Sequence, residues 1–236
     1  RSAGGASGGA AAALASRMVP LADGSDYGGS LRNPAGWNNV FGFRTSFGVV
    51  PAAGPEVWLA GMGVQGPMAR SVEDLALLLS VQAGYDPRSP LSLPGDGTKY
   101  RQNLDAPVKC RRIGWLGDLG GDVPHEPEVL EVCRTALKSF EALGCTVEEA
   151  KIEAPVEPAW QTIIKLRAWQ QSGQIIANYR NPAERALLKP EAVWEVETAL
   201  PLSAFDITAA SEARTTWSMA VKKLFDRFDY LVLPSS

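Results

Sequence analysis

The sequence is poor in the side chains that most often support metal and redox chemistry. It has one histidine, His125, and three widely spaced cysteines, Cys110, Cys133 and Cys145. An odd number of distant cysteines fits neither a disulfide framework nor a C-x-x-C metal site, and we expect reduced packing residues. The sequence therefore predicts no metal site, and a single histidine removes most histidine-based catalysis.

Strong net charge and long apolar runs are also missing. The net charge is -3 and the pI is about 5.4, so nothing attracts nucleic acid or anionic membranes in general. Pro51, Pro55 and Glu56 interrupt the most apolar region, residues 49–68, and no transmembrane run occurs. The first residues lack the pattern of a secretory signal. We expect a soluble, cytoplasmic protein with no nucleic-acid or membrane partner.

Glycine is abundant in two loops near the start of the chain. Residues 4–9 read GGASGG and precede an alanine-rich, helix-forming run, and residues 26–30 read DYGGS. Glycine lets the backbone approach a ligand closely, and a helix that follows such a loop presents free N–H groups. Ser30 therefore has the surroundings of a nucleophile beside an oxyanion hole. Taken alone, the same pattern also fits a turn or N-cap serine.

Hydrophobic periodicity predicts an α/β protein with a mixed sheet flanked by helices. A strand, helix and strand between residues 112 and 152 indicate a parallel crossover. Ser71, with Asp74 three residues later, is predicted to cap a helix that ends near Gly84. The other predicted helices span residues 9–18, 127–143, 158–179, 190–199 and 203–228, and the predicted strands span 19–22, 112–116, 145–152 and 229–233.

Four segments are predicted to be irregular or short. Residues 24–34 should form a turn-rich loop with a boundary at Asn33-Pro34, and residues 41–50 a strand and turn. Residues 51–67 should be an irregular connection, and residues 85–110 a linker or long surface loop. Because the chain begins three residues before a loop of central interest, we expect it to be a segment of a longer protein.

A G-x-G-x-x-G motif occurs at residues 61–66, with Asp86 twenty residues beyond it. A dinucleotide site needs a strand directly before this motif and a helix opening within it. Here the candidate strand, residues 57–60, is very short, and Pro67 separates the motif from the next helix. We therefore favour a glycine-rich connection and expect no organic cofactor.

A G-x-S-x-G motif surrounds Ser7 at residues 5–9 and raises the alternative of an α/β-hydrolase-type esterase. That interpretation needs a preceding strand and a later histidine. Only His125 is available, and it lies in a loop that enters a helix. This alternative remains the more remote one.

The order of the motifs resembles the amidase signature family over nearly the whole chain, most densely over residues 4–51. The shared features are GGASGG, the alanine-rich helix, MVPLADGSDYGGSLRNPA, FGFRTSFGVVP, GPMARSVEDLALLL, RIGWL and DYLVLPSS. The resemblance implies an amidase signature fold, with residues 1–236 as one domain segment. It also implies hydrolysis of a small-molecule carboxylic amide through an acyl-enzyme, with no metal or cofactor. It leaves a homodimer open.

The resemblance assigns roles to particular residues. Ser30 matches the nucleophile, the backbone N–H groups of residues 27–30 match the oxyanion hole, and Asp26 and Arg32 match positions that hold the loop. The oxyanion set is Tyr27, Gly28, Gly29 and Ser30. We expect the Gly28 and Gly29 N–H groups to converge on one vacant spot. Replacing Gly29 by valine should then block the acyl group without unfolding the protein.

The family's Ser–cis-Ser–Lys triad is incomplete in this chain. Its bridging serine precedes the nucleophile by 24 positions, where this sequence has Ala6; Ser7 matches the second serine of the family loop. Alanine cannot pass a proton, so either activity is impaired or Ser7 or water substitutes. For Ser7 a loop-stabilising role and a supporting catalytic role both remain open. The first lysine is Lys99, so the catalytic lysine is expected upstream of the chain.

Two further questions stay open at this level. Trp37, Phe41 and Phe43 could line an apolar acyl pocket or belong to the core, where aromatic residues more often lie. A catalytically silent relative, which binds a ligand or partner without turnover, is the alternative to an enzyme, and Ala6 is the residue that favours it.

Overall fold

The computed structural model describes residues 2–54, 56–58 and 61–235, which form two compact units. The first unit comprises residues 1–107 with 235–236, and the second comprises residues 108–234. The boundary falls inside the segment 85–110, most of which belongs to the first unit. The assignment of residues 1–236 to one domain stays a prediction, and the expected strand at 57–60 lies partly outside the described residues.

The first unit is an antiparallel three-stranded sheet in the order β1-β3-β2, with three helices. The packed interior consists of Ala11, Leu14, Leu31, Ala35 and Met68. Its elements are α1 (Gly8–Ala15), β1 (Leu21–Asp26), α2 (Arg32–Asn38), β2 (Phe41–Gly42), β3 (Val64–Ala69) and α3 (Val72–Gln82), followed by a 3₁₀ turn at Gly97–Arg101.

Strand β1 is longer and later than the predicted strand at residues 19–22, and it includes part of the predicted loop. Its centre is Gly24, which pairs with Gly66 of β3. A Cβ on Gly24 would contact the Ser7 hydroxyl and would lie 2.8 Å from Leu31 Cδ2. Glycine is thus needed here for close packing. Because glycine is uncommon inside strands, the same residue made the sequence look like a loop.

Strand β3 replaces the end of the predicted irregular connection. The last glycine of the G-x-G-x-x-G motif, Gly66, lies inside this strand. Glycine is required at this position because a Cβ would contact the Phe43 carbonyl oxygen. Pro67 is tolerated in β3 because it lies just beyond the pairing with the two-residue strand β2. On that side only its carbonyl oxygen is needed, and it accepts the Phe43 N–H at 3.0 Å. The motif is therefore not a strand-to-helix phosphate loop.

Helix α2 was not expected, because Asn33-Pro34 was interpreted as a boundary. Pro34 is the third residue of this helix. The first turn of a helix has no intrahelical partners for its N–H groups, so proline costs little there. The helix ends at Asn39, which adopts the left-handed conformation with φ 53°.

The second unit contains a parallel three-stranded sheet in the order β5-β4-β6. Its core cluster is Leu116, Leu224 and Phe228. None of the helices among the described residues is both long and apolar enough to cross a membrane. The elements are β4 (Arg112–Trp115), α4 (Pro127–Ala142), β5 (Thr146–Glu149), α5 (Val156–Arg180), α6 (Pro182–Arg185), α7 (Pro190–Ala199), α8 (Ala204–Leu224) and β6 (Tyr230–Val232).

Most of the predicted helices are confirmed to within a few residues, and the caps explain why. The Ser71 side chain accepts a hydrogen bond from the Asp74 N–H, as predicted for α3. Ser203 and Asp206 form a reciprocal capping box at the start of α8. The predicted parallel arrangement of β4 and β5 is also confirmed, whereas the short helix α6 was not predicted.

The packing around Gly24 leads to a stability prediction. Gly24→Ala should lower the free energy of unfolding by about 1 to 3 kcal/mol, because both neighbouring side chains are buried. Gly9→Ala is the control: nothing lies within 4 Å of a Cβ there, and alanine in helix α1 should stabilise by about 0.5 to 1 kcal/mol. Urea denaturation followed by circular dichroism measures both changes. Equal stability of the two variants would contradict the packing.

Candidate functional site

The site is built on Asp26, the last residue of β1, whose side chain is completely buried. Its carboxylate accepts the N–H of Gly29 at 2.8 Å, of Leu31 at 3.3 Å and of Arg32 at 3.4 Å. These bonds fold residues 27–31 back over the end of the strand. The Gly29 carbonyl then accepts the Asn33 N–H at 2.8 Å, which starts the turn of α2. Ser30 is thereby fixed between a strand and a helix.

Two arginines compensate the buried charge of Asp26. Arg32 binds both carboxylate oxygens, through Nε at 2.9 Å and Nη2 at 3.0 Å. Arg44 Nη1 lies 3.0 Å from Oδ1 and also donates to the Asp26 carbonyl, while its Nη2 donates to the Met62 carbonyl at 2.8 Å. The predicted contribution of Asp26 and Arg32 to loop structure is thus visible as direct contacts.

The contribution of Arg44 was missed. Its only signal in the sequence is a charged residue inside the aromatic and glycine-rich stretch FGFRTSFG. Spacing could not connect it to Asp26, because the two residues are 18 positions apart and meet only when β1 and β2 pair with opposite edges of β3.

The electrostatic balance at Asp26 favours the ionised carboxylate. Burial raises its pKa, but hydrogen bonds from Arg32 and Gly29 and the charges of Arg32 and Arg44 outweigh that effect and lower the pKa to about 2. The ionised form therefore persists throughout the physiological range, and the loop stays anchored there.

Ser30 meets the first glycine loop directly. Its Oγ accepts the N–H of Ala6 at 3.1 Å, and a Cβ on Gly5 would lie 2.5 Å from the same oxygen. Gly4, with φ 97°, needs the conformational freedom of glycine to make this approach. Ala6 and Ser30, which are 24 positions apart in the sequence, are thus in direct contact. Ser30 is half-buried and Ala6 is exposed, so both are accessible in this unit.

The prediction that the Gly28 and Gly29 N–H groups converge on one vacant spot is wrong for Gly29. The Gly29 N–H is donated to Asp26, so it does not converge with that of Gly28 on a vacant spot. The N–H groups of Gly28 and Ser30 have no acceptor among the described residues. The ring of Tyr27 packs beside Gly63, where a Cβ would lie 3.4 Å from Cδ2. Two donors therefore remain for an oxyanion in this loop.

Gly29 also has a structural requirement that corrects the expectation for Gly29→Val. Its φ is 125°, which side chains rarely adopt, and a Cβ would lie 2.8 Å from Asn33 Nδ2. A valine here would strain the loop itself. Gly28 differs, because a Cβ at that position meets nothing within 4 Å.

Ser7 is directed away from Ser30 and into the strand. Its buried hydroxyl donates to the Ser25 carbonyl at 3.2 Å and accepts the Ser25 N–H at 3.1 Å. Both hydrogen-bonding functions of the hydroxyl are thus used to join the first glycine loop to β1. This arrangement favours the loop-stabilising role of Ser7.

The three aromatic candidates for an acyl pocket are partly exposed. Trp37, Phe41 and Phe43 are between 43% and 52% exposed, so they are not core residues within the first unit. Lys99, the first lysine of the chain, lies 5.0 Å from the ring centre of Tyr100. Among the described residues no group of three or more His, Cys, Asp or Glu side chains could hold a metal ion. Every described peptide bond, including the one before Ala6, is trans.

The fold and the site together define a class: an α/β protein in which a serine of one glycine loop contacts a second glycine loop. A family model described as Amidase matches residues 1–236, and the chain belongs to that family. Among solved structures, a bacterial aryl acylamidase of the amidase signature enzymes superposes with a TM-score of 0.90 and 31% identity over 98% of this chain and 49% of its own. The predicted amidase signature fold is confirmed.

Other relatives differ in the reactions that their names describe. The 6-aminohexanoate cyclic dimer hydrolase gives a TM-score of 0.81 and 26% identity, over 97% of this chain and 49% of its own. An acylamidase of Rhodococcus erythropolis is 42% identical over 69% of this chain and 34% of its length. A glutamyl-tRNA(Gln) amidotransferase subunit from Marinobacter nauticus is 38% identical over 63% of this chain and 30% of its length. The chain thus spans about half of the solved relatives.

The anchoring of the loop leads to a pH-dependent prediction. Because the folded pKa of Asp26 is about 2, below its reference value of 3.8, its stabilisation is complete only above about pH 5. It amounts to about 2 kcal/mol and is lost as the pH falls towards 2. Asp26→Asn should remove this acid sensitivity and lower the free energy of unfolding at pH 7 by about 3 kcal/mol or more, because Arg44 loses its partner.

The control is Asp86→Asn. The pKa of Asp86 is also about 2, owing to hydrogen bonds from Arg88, but this pair lies at the surface. Exposed pairs contribute little to stability, so Asp86→Asn should leave the stability nearly unchanged. Thermal unfolding between pH 2 and 7 compares the variants. The anchoring account fails if the two substitutions have the same effect.

Proposed function

We propose that this protein hydrolyses the C–N bond of a small-molecule carboxylic amide, with Ser30 as the nucleophile. The observation that carries the proposal is the position of the Ser30 hydroxyl, half-buried at the meeting point of two glycine loops. The family and the names of the relatives, which include an acylamidase and an aryl acylamidase, support the same reaction class.

The loop supplies the elements of acyl transfer. Ser30 Oγ attacks the amide carbonyl carbon while its proton passes through a water molecule towards the leaving nitrogen, and the carbonyl oxygen becomes an oxyanion. The free N–H groups of Gly28 and Ser30 are placed to donate to that oxyanion. The C–N bond then breaks, the amine leaves with a proton, and water hydrolyses the ester on Ser30 to release the acid.

Proton transfer is the weak step in this chain. A serine hydroxyl needs a positioned base, and the residue next to Ser30 in the first loop is Ala6, which has no exchangeable side-chain proton. Ser7 is a poor substitute because Ser25 uses its hydroxyl. We therefore propose that the protein binds amides but turns them over slowly, with water in place of the missing hydroxyl.

A catalytically silent binding protein is the second candidate, and Ala6 is the observation that favours it. In that case the loop would hold a carbonyl-bearing ligand reversibly. We give it second place because Ser30 keeps its hydroxyl beside these N–H groups, and a binding protein would need the donors but not the nucleophile.

The open space beside Gly28 gives a prediction about the acyl group. Gly28→Ala should keep the stability of the protein but slow acylation by an activated aryl ester about ten- to a hundredfold, because the methyl group displaces the reacting carbonyl. Stopped-flow detection of phenolate release measures the rate. Gly29→Ala is the matched variant and should instead lose stability. Unchanged acylation in Gly28→Ala would show that this space is not used.

The test of the function restores the missing hydroxyl. In a protein that carries these residues together with the expected upstream lysine, Ala6→Ser should raise kcat on an anilide by at least about a hundredfold, because general-base assistance returns. KM should change only a few-fold, as expected for an interaction made mainly in the transition state. The measurement is steady-state release of the aniline.

Two controls accompany this measurement. Ser30→Ala in the same background should abolish turnover, and Ser7→Ala should act mainly on stability, since its hydroxyl joins the loop to β1. If Ala6→Ser leaves kcat unchanged, the relay through this position is wrong. If Ser30→Ala retains turnover, the nucleophile has been misassigned.

A further inference from the structure

The second unit contains a cleft at the carboxyl ends of its parallel strands β4 and β5. Its volume is about 290 Å³, and it lies between the loop at residues 116–120 and the segment 150–152, with Arg134 of α4 at its rim. Ligands of open parallel sheets bind outside this end of the strands. A cavity of about 150 Å³ accommodates benzene, so this cleft has room for a ring that carries a polar substituent.

A buried, unsatisfied donor lies beside the loop that borders this cleft. Trp115 is 3% exposed, yet its Nε1 has no hydrogen-bond partner in the described part of the chain. The atom faces Gly117, where a Cβ would lie 3.4 Å away, so it points towards the loop that borders the cleft. An indole N–H can only donate, and a buried donor without an acceptor is costly. The cleft therefore calls for an acceptor atom.

The charged side chains around the cleft are two cations and two carboxylates, and one of the cations has no ion pair among the described residues. Arg134 Nη1 lies 2.9 Å from Glu149 Oε1, which neutralises it. Asp118 Oδ1 accepts the Gly121 N–H at 3.0 Å. Lys151 has neither an ion pair nor a hydrogen bond to any described residue. One free cation matches a single negative charge better than it matches a phosphate dianion.

The remaining walls are apolar. Leu116, Leu119 and Ile152 line the cleft and belong to, or pack against, the core of the second unit. They would cover the body of a ligand whose polar end faces Trp115 and Lys151.

We propose that this cleft binds a small monocarboxylate with an apolar body. One carboxylate oxygen accepts the Trp115 N–H, and Lys151 supplies the opposite charge. All the residues of this site belong to the second unit, so the inference is independent of the role of Ser30.

The test uses benzoate as the probe and the indole N–H signals of the ¹⁵N-labelled protein as the readout. Benzoate should shift the Trp115 signal saturably, and benzamide, which has no charge, should bind more weakly. Trp115→Phe should raise the Kd for benzoate by about fivefold or more, because a hydrogen bond to a charged group is lost. Calorimetry measures the Kd values.

If Trp115→Phe disturbs the fold, two lysine variants provide an independent test of the same site. Lys151→Met should weaken benzoate binding about threefold or more, whereas Lys138→Met, on the exposed face of α4, should have no effect. The proposal is overturned if benzoate leaves the Trp115 signal unchanged, if the two lysine variants behave alike, or if the indole N–H contacts a buried water only.

Discussion

The buried carboxylate of Asp26 is the interaction on which the first unit depends. It ends a strand, collects three backbone N–H groups of the following loop and holds two arginines from different segments. A buried carboxylate is expensive unless its oxygens are fully hydrogen-bonded, so these partners are required together. The position of Ser30 follows from this network, because Asp26 binds the N–H groups of Gly29 and Leu31 on either side of it.

Local signals in the sequence were enough for the helices but not for the first sheet. Ser71 and Ser203 mark helix starts through contacts three residues away, and such contacts can be read from the sequence. Strands β1 and β3 contain Gly24, Gly66 and Pro67, which favour loops by propensity. They are strands because neighbouring segments need the space that a side chain would fill, and only the folded chain shows this.

For the candidate site, the sequence indicated the residues but not the contacts between them. The motifs located Ser30, Ala6, Asp26 and Arg32, since all four lie in or beside the two glycine loops. The direction of the Gly29 N–H and the contribution of Arg44 could not be predicted, because both depend on how the loop folds back onto Asp26. The resemblance to a family indicates which residues matter, whereas the hydrogen bonds show which backbone groups remain available for chemistry.

Covalent labelling tests the central claim, that Ser30 is a nucleophile presented by the Asp26 loop, most directly. The protein would be incubated with a fluorophosphonate, and the modified residue identified by peptide mass spectrometry. The account predicts one slow adduct, located on Ser30, with Ser7 unmodified because its hydroxyl is buried and bonded to Ser25. An adduct on another serine, or none after prolonged incubation of the folded protein, would contradict it.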